Sequence, residues 1–301
     1  MHTPASNVYQ DIANDRGLIW HYTSWEGLIG ILGPEGKVWA TNAEYLNDTR
    51  ELRCGLAKLA EYFSDHEPLQ AYLQNNGWNR EGSPQEVYVT SFSKAFDSLS
   101  QWRGYRAPFA LGFRRSILER IADNYSFRLC DCVYETDKAG LDQLFDVDLR
   151  ALNMSREAAN ARPGNPNAGK RYMQNDIPGV FFRRYAYAVQ IKDDAFREEG
   201  EVRLFLQVPR EGLAAKVSKL GQGLPPCRLE FRWSGVLQAP VPYIALPLSG
   251  GDHAHPVEQI LVGPCAHPEL AAASVERLLE NLAVKPVGVC GSKVPYRSMN
   301  S

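Results

Sequence analysis

The chain has 301 residues, of which 44% are hydrophobic and 23% charged, and a formal charge of -2. That length fits one large domain or two small ones, with the balance of a soluble globular protein. Near-neutrality excludes bulk electrostatic attraction to nucleic acid or anionic lipid, and no stretch approaches the ~18 consecutive apolar residues of a membrane span.

The N-terminus, Met1–Arg16, is polar and lacks an apolar core of signal-peptide length. Leu18–Tyr22 reads as a short strand running into Thr23-Ser24-Trp25-Glu26, where Thr23 can cap a helix and Glu26 can reach back. Leu28, Ile29, Ile31 and Leu32 form that helix's apolar stripe, and Gly33-Pro34 ends it. Val38–Thr41 is a second strand, and Asn47 or Asp48 can cap a helix carrying Leu52, Leu56, Leu59 and Phe63. After a loop at Asn75–Pro84, Glu86–Ser93 alternates cleanly, with Val87, Val89, Ser91 and Ser93 on one face. Asp97 is placed to cap a short helix bearing Leu99, Trp102 and Tyr105.

Strands are expected at Phe109–Phe113 and Phe127–Tyr134, with helices at Ser116–Asn124 and Leu141–Ala161. The Pro- and Gly-rich run from Arg162 to Gly169 marks residues 162–176 as a flexible insertion, and Val180–Gln190 reads as helical. Further strands are expected at Arg228–Trp233, Tyr243–Leu248, Gln259–Val262 and Val287–Cys290, with a helix at Glu269–Leu282. Helices and strands intermix without regular alternation. The expected fold is a single α+β domain with mixed, mostly antiparallel sheets and flanking helices.

Six cysteines without a CxxC pair fit reduced thiols in a cytoplasmic protein. P-loop, GxSxG and HExxH patterns are absent. Asp252, His253, His255, Cys265 and His267 sit at irregular spacing in a loop, so no metal site is assigned.

The stretch Phe196–Val208 carries the most chemistry. Val202, Leu204, Leu206 and Val208 fall on one face of a strand, and Glu201, Arg203, Phe205 and Gln207 on the other. If Glu199 belongs to the same extended run, it points the same way as Glu201 and Arg203. Two acids and a guanidinium on one strand face suit either a salt-bridged surface or a site for a polar, cationic transition state. Lys170, Arg171, Arg183 and Arg184 interleave with Tyr172, Phe181, Phe182 and Tyr185. That mix fits single-stranded nucleic acid, or else aromatics packed in a core beneath solvated arginines.

Several segments stand out together: Trp20-His21-Tyr22-Thr23-Ser24; Leu46-Asn47-Asp48 with Glu51; Val89–Ser93 with Asp97 and Trp102; Phe196 and Glu199 with Glu201-Val202-Arg203; Val262-Gly263-Pro264; and Ser292 before Pro295-Tyr296-Arg297. In order and spacing this set resembles the bacterial domain of unknown function 2971, over about residues 18 to 297. More distantly, His21, Ser91-Phe92-Ser93 and Glu199-Gly200-Glu201 resemble the three strand-borne elements of toxin-type ADP-ribosyltransferases.

That second resemblance implies an NAD-consuming transferase in which Glu201 stabilises an oxocarbenium-like cation and Glu199 acts as general base. His21 would hold the adenosine-side ribose with Thr23 beside it, and Ser91 or Ser93 would brace Glu201. Tyr22, Trp102 and Tyr105 compete to stack on nicotinamide. Arg203 would pair with the pyrophosphate or with a carboxylate. The expected roles are a bacterial toxin or phage-defence effector with a protein or nucleic-acid acceptor. The alternatives are a non-catalytic module that binds a nucleotide or a partner, and a nucleic-acid-binding or nucleic-acid-processing protein that needs no NAD.

Overall fold

The computed structural model describes residues 5–46, 49–76, 85–105, 107–161, 172–252, 254–282 and 287–295. In chain order the strands are β1 (Leu18–Thr23), β2 (Lys37–Asn42), β3 (Gln85–Ser93), β4 (Phe109–Arg114), β5 (Arg128–Asp131), β6 (Val133–Tyr134), β7 (Ile191–Lys192), β8 (Glu201–Pro209), β9 (Arg228–Ser234), β10 (Ala239–Pro247), β11 (Val257–Val262) and β12 (Gly288–Gly291). Ten of them form one sheet, ordered β12-β11-β4-β1-β3-β2-β10-β9, with β8 pairing β3 and β5 pairing β8. Every pairing in it is antiparallel except β11 with β12, and β6 and β7 form a separate parallel pair. The expected α+β architecture with a mostly antiparallel sheet is therefore what the chain adopts.

Strand β8 divides two interiors. Val202, Leu204, Leu206 and Val208 enter the main core with Ile19, Tyr88, Phe92, Leu111 and Phe113. Each such side chain contributes roughly 1.5–3 kcal/mol on burial. On the opposite face Phe205, Val87 and Val89 meet Tyr185, Ala186, Ala188 and Val189 at the end of a helix spanning Ile177–Ala188. That helix turns Ile177, Val180, Phe181 and Tyr187 towards Leu59 of the helix Thr49–Tyr62, Phe63 just beyond its end, and Phe145 and Leu152 of the helix Lys138–Ala161. An alternating strand and an amphipathic helix are each two-sided, so stacking them yields these layers.

Several local expectations change. Ser24, not Thr23, caps the helix Trp25–Leu32, accepting from Gly27 N at 3.2 Å. A helix at Glu67–Asn76 replaces the first part of the expected loop. The strand expected over Phe127–Tyr134 breaks into β5 and β6. Within the expected 162–176 insertion, Tyr172–Asp176 form a π-helical turn leading into Ile177–Ala188. Asn47, Asp48, Lys170, Arg171, His253, Tyr296 and Arg297 lie outside the described residues.

Asp97 is not a helix cap. With a left-handed φ of 49° it aims its carboxylate at Trp102 Nε1 and Lys293 N, each donating at 2.8 Å, and it also accepts from the hydroxyls of Tyr9 and Ser292. All six cysteines are free thiols. Among the described residues, no helix is long and apolar enough to cross a membrane.

Candidate active-site cleft

The sheet is split beside β3. On that edge β1 pairs with β3 only at Trp20 and Ser93, and β2 only at Thr41 with Val89 and Asn42 with Tyr88. Along the other edge β3 pairs continuously with β8 from Gln85 to Ser93. Between the two short contacts, side chains reach the β3 backbone and its neighbours. His21 Nδ1 lies 2.9 Å from Ser91 O, and Thr90 Oγ1 donates to Trp39 O at 2.8 Å. The split opens into a cleft of about 700 Å³ bordered by His21, Thr23, Ser91, Ser93, Glu199 and Glu201.

The antiparallel register pairs Ser93 with Glu201 and Ser91 with Arg203, placing these four side chains on one face. Glu199 arrives differently. It ends a 3-10 turn at Asp194–Glu199, and Gly200, with φ 51° and ψ 49°, separates it from β8. An L side chain at that φ is strained, so glycine makes the turn that returns Glu199 to the cleft. The Ser93 hydroxyl donates to Glu199 O and accepts from Ala95 N at 2.9 Å. It therefore braces the turn rather than the Glu201 carboxylate expected from sequence.

Glu201 is held by cations. Arg203 Nε donates to its Oε1 at 2.7 Å and Nη2 to its Oε2 at 3.0 Å. Lys192, which sequence reasoning did not single out, donates to Glu201 Oε2 and to Glu199 Oε2, the latter at 2.7 Å. Burial pushes the Glu201 pKa up, but Arg203 and then Lys192 outweigh it, leaving the carboxyl below its ordinary range. Arg203 is 2% exposed and its Nη1 donates to Val189 O at 2.7 Å, so its guanidinium serves the interior and not the cleft wall. Of its two expected partners, it takes the carboxylate.

The aromatic candidates separate clearly. Tyr105 is 50% exposed and lines the cleft. Tyr22 touches the wall, but its ring meets Trp102 edge-on at 4.7 Å and its hydroxyl donates to Ala95 O at 3.1 Å. Trp102 is buried against Gly263, where a Cβ would come within 3.0 Å of its ring. It packs the core and is no stacking surface. Phe196 and Trp39 also line the cleft, and both are partly exposed.

The wall opposite belongs to the helix Trp25–Leu32, whose Gly27 and Gly30 face the cleft. The Gly27 Cα leaves room for the Thr23 side chain, which would collide with a Cβ there.

Arg183 and Arg184 do not line the cleft. Arg183 pairs with Asp148, and Arg184 is buried with its guanidinium 3.7 Å from the Phe181 ring centroid and donating to Phe181 O. Both arginines stabilise the helical layer and do not face the cleft. As metal candidates among the described residues, Cys54, Glu135 and Asp193 bring ligand atoms within 4.8 Å of one another, away from the cleft lining. The Cys54 thiol donates to Glu135, and Asp193 Oδ1 accepts from Ala195 N at 2.8 Å. No family model matches the chain, and no curated protein or solved structure does.

Proposed function

We propose that the cleft binds NAD and cleaves its nicotinamide–ribose bond, as the resemblance to toxin-type ADP-ribosyltransferases implies. One observation carries the reading: His21, the Ser91–Ser93 strand and both Glu199 and Glu201 border a single cleft. Its volume, about 700 Å³, lies within the ~300–1,000 Å³ range of small-molecule sites.

In this chemistry the bond electrons leave with the nicotinamide nitrogen and positive charge remains on the ribose. Carboxylates fixed at the cleft floor stabilise that charge before the acceptor bonds to the anomeric carbon. The acceptor's proton passes to a carboxylate acting as general base. Tyr105 and Phe196 are the aromatic faces available to nicotinamide. His21 serves a ribose hydroxyl, with Thr23 beside it. Membership of the domain of unknown function 2971 family, and work as a bacterial toxin or phage-defence effector, rest on the resemblance alone.

A second reading is a non-catalytic nucleotide- or nucleic-acid-binding module. What favours it is the clamping of Glu201 by two cations, which directs part of its field to the protein itself.

A thermal-shift titration tests both readings, since NAD at ~100 times its dissociation constant stabilises by roughly 2.7 kcal/mol. Nicotinamide release by the wild type, lost in Glu199→Gln, supports catalysis. A melting shift without release favours the binding module, and the absence of both effects removes NAD from consideration.

A further inference from the structure

Lys192 reaches the cleft floor from β7, a two-residue strand held by its parallel pairing with Val133–Tyr134. Its side chain is 4% exposed and lies between Glu199 and Glu201. The two acids differ in what else holds them. Glu201 is 3% exposed in its side chain and accepts both from Lys192 and, through both oxygens, from Arg203. Glu199 is 16% exposed in its side chain and takes Lys192 as its cation.

A carboxylate has about four acceptor sites, so three donors leave Glu201 nearly saturated. Two neighbouring carboxylates also repel, and without an intervening cation one of them takes up a proton. An ammonium suits this task because it is a compact charge with three rotatable donors, whereas a guanidinium fork matches one carboxylate at a time.

We infer that Lys192 is a positioning residue that locks the two carboxylates into one unit, so that Glu199 is the carboxylate a ligand meets while Glu201 fixes its place. What Glu199 then does rests on the NAD-cleavage reading, but how it is held does not. Other titratable and charged groups face this unit from several elements. Arg203 lies on β8, the Tyr134 hydroxyl accepts from Glu201 N at 3.3 Å, and Cys130 and Cys132 lie beside Arg203. The Phe196 ring centroid is 5.0 Å from Lys192 Nζ, and Arg197 sits over Tyr134.

The test is a carboxyl-carbon NMR titration of glutamate-labelled protein, with Glu199→Gln and Glu201→Gln assigning the two signals. In Lys192→Met the Glu201 carboxyl, which loses one of its two cations, is expected to titrate about one pH unit higher than in the wild type, a tenfold change in proton affinity. Lys192→Arg keeps the charge but matches one carboxylate at a time, so there too the Glu201 titration is expected to depart from the wild type's. Titrations in Lys192→Met that superpose on the wild type overturn the inference. If that variant does not fold, unchanged titrations in Lys192→Arg overturn it instead.

Nicotinamide release supplies the second readout. A misplaced Glu199 lowers kcat by roughly 10–100-fold with little change in the NAD KM, whereas a merely structural lysine leaves kcat intact in Lys192→Arg. If the wild type consumes no NAD, the titration still decides how the acids are held, so the two ideas fail separately.

Discussion

His21 Nδ1 lies 2.9 Å from Ser91 O, across a stretch where β1 and β3 share one register pair. A carbonyl only accepts, so Nδ1 carries the proton and Nε2 of the neutral ring is the acceptor. Phe92 and Phe113 hold the ring in place, at centroid distances of 5.5 and 6.4 Å. The imidazole thus closes part of the split with one nitrogen and keeps the other for a hydroxyl donor such as a ribose.

Replacing His21 with Asn tests this division of labour, because the amide can still donate to Ser91 O but offers nothing at the Nε2 position. Burial lowers the His21 pKa below 6.5, and the Ser91 carbonyl only partly opposes it. Below that value the unfolded chain takes up a proton that the folded ring resists. Stability is therefore full above 6.5 and falls as pH drops towards the folded value. His66, also lowered by burial and by Arg156, contributes in the same direction, so the difference between wild type and variant isolates His21. Melting curves from about pH 8 to about pH 5 should fall less steeply in His21→Asn, and its NAD-induced shift should vanish. An unchanged slope would show that the ring is not held neutral.

The two acids of the cleft should differ in their response to amidation. Glu201→Gln leaves Arg203 and Lys192 buried beside a neutral group, a change expected to cost roughly 3–5 kcal/mol. Glu199→Gln removes one charged contact from Lys192 but leaves it paired with Glu201, and should cost less, roughly 1.5–3 kcal/mol. Because the folded Glu201 pKa is depressed below 4.5, its stabilisation is present above that value and is lost as pH falls through the folded pKa. Urea unfolding of both variants at neutral pH measures the contrast, and equal losses would contradict the buried pairing.

Gly30 gives a way to block the cleft without touching its charges. A Cβ built there meets nothing within 4 Å, and the residue is helical, so Gly30→Ala should stabilise by roughly 0.5–1 kcal/mol. Gly30→Phe projects a ring into the opening. The expected result is an intact melt with no response to NAD. A retained NAD shift would place the ligand elsewhere on the protein.

Much of this arrangement was legible in local pattern. The alternation of Val202, Leu204, Leu206 and Val208 defines β8 and its buried face before any tertiary contact is known. Glu201 and Arg203 follow from the same period. Glu199 does not, because the left-handed Gly200 moves it off the strand and into the cleft by another route. Lys192 is illegible for a different reason: two residues carry no periodicity, and its place depends on pairing with residues nearly sixty positions earlier in the chain. Trp102 and Arg184 misled because an aromatic or a cation near a candidate site has the same local signature whether it faces ligand or core.

Asp97 is where the widely separated segments gain a structural explanation, and it supports the last prediction. Its Oδ1 accepts from Trp102 and Ser292, and its Oδ2 from Tyr9 and Lys293, tying Asp97 to stretches up to 196 positions away. Asp97→Asn keeps the side chain's shape, and asparagine tolerates the left-handed φ of 49°, so backbone strain would not change. The amide would instead face two donors with a donor of its own. With charged hydrogen bonds contributing roughly 1.5–3 kcal/mol each, Asp97→Asn should destabilise by about 3 kcal/mol or more. Ser292→Ala, which removes one donor and leaves the acceptor three others, should cost about 1 kcal/mol. Denaturant midpoints for the pair check the ratio. Equal effects would mean that Asp97 is held by fewer of its four donors than the geometry indicates, and that the C-terminal strand β12 is anchored by other contacts.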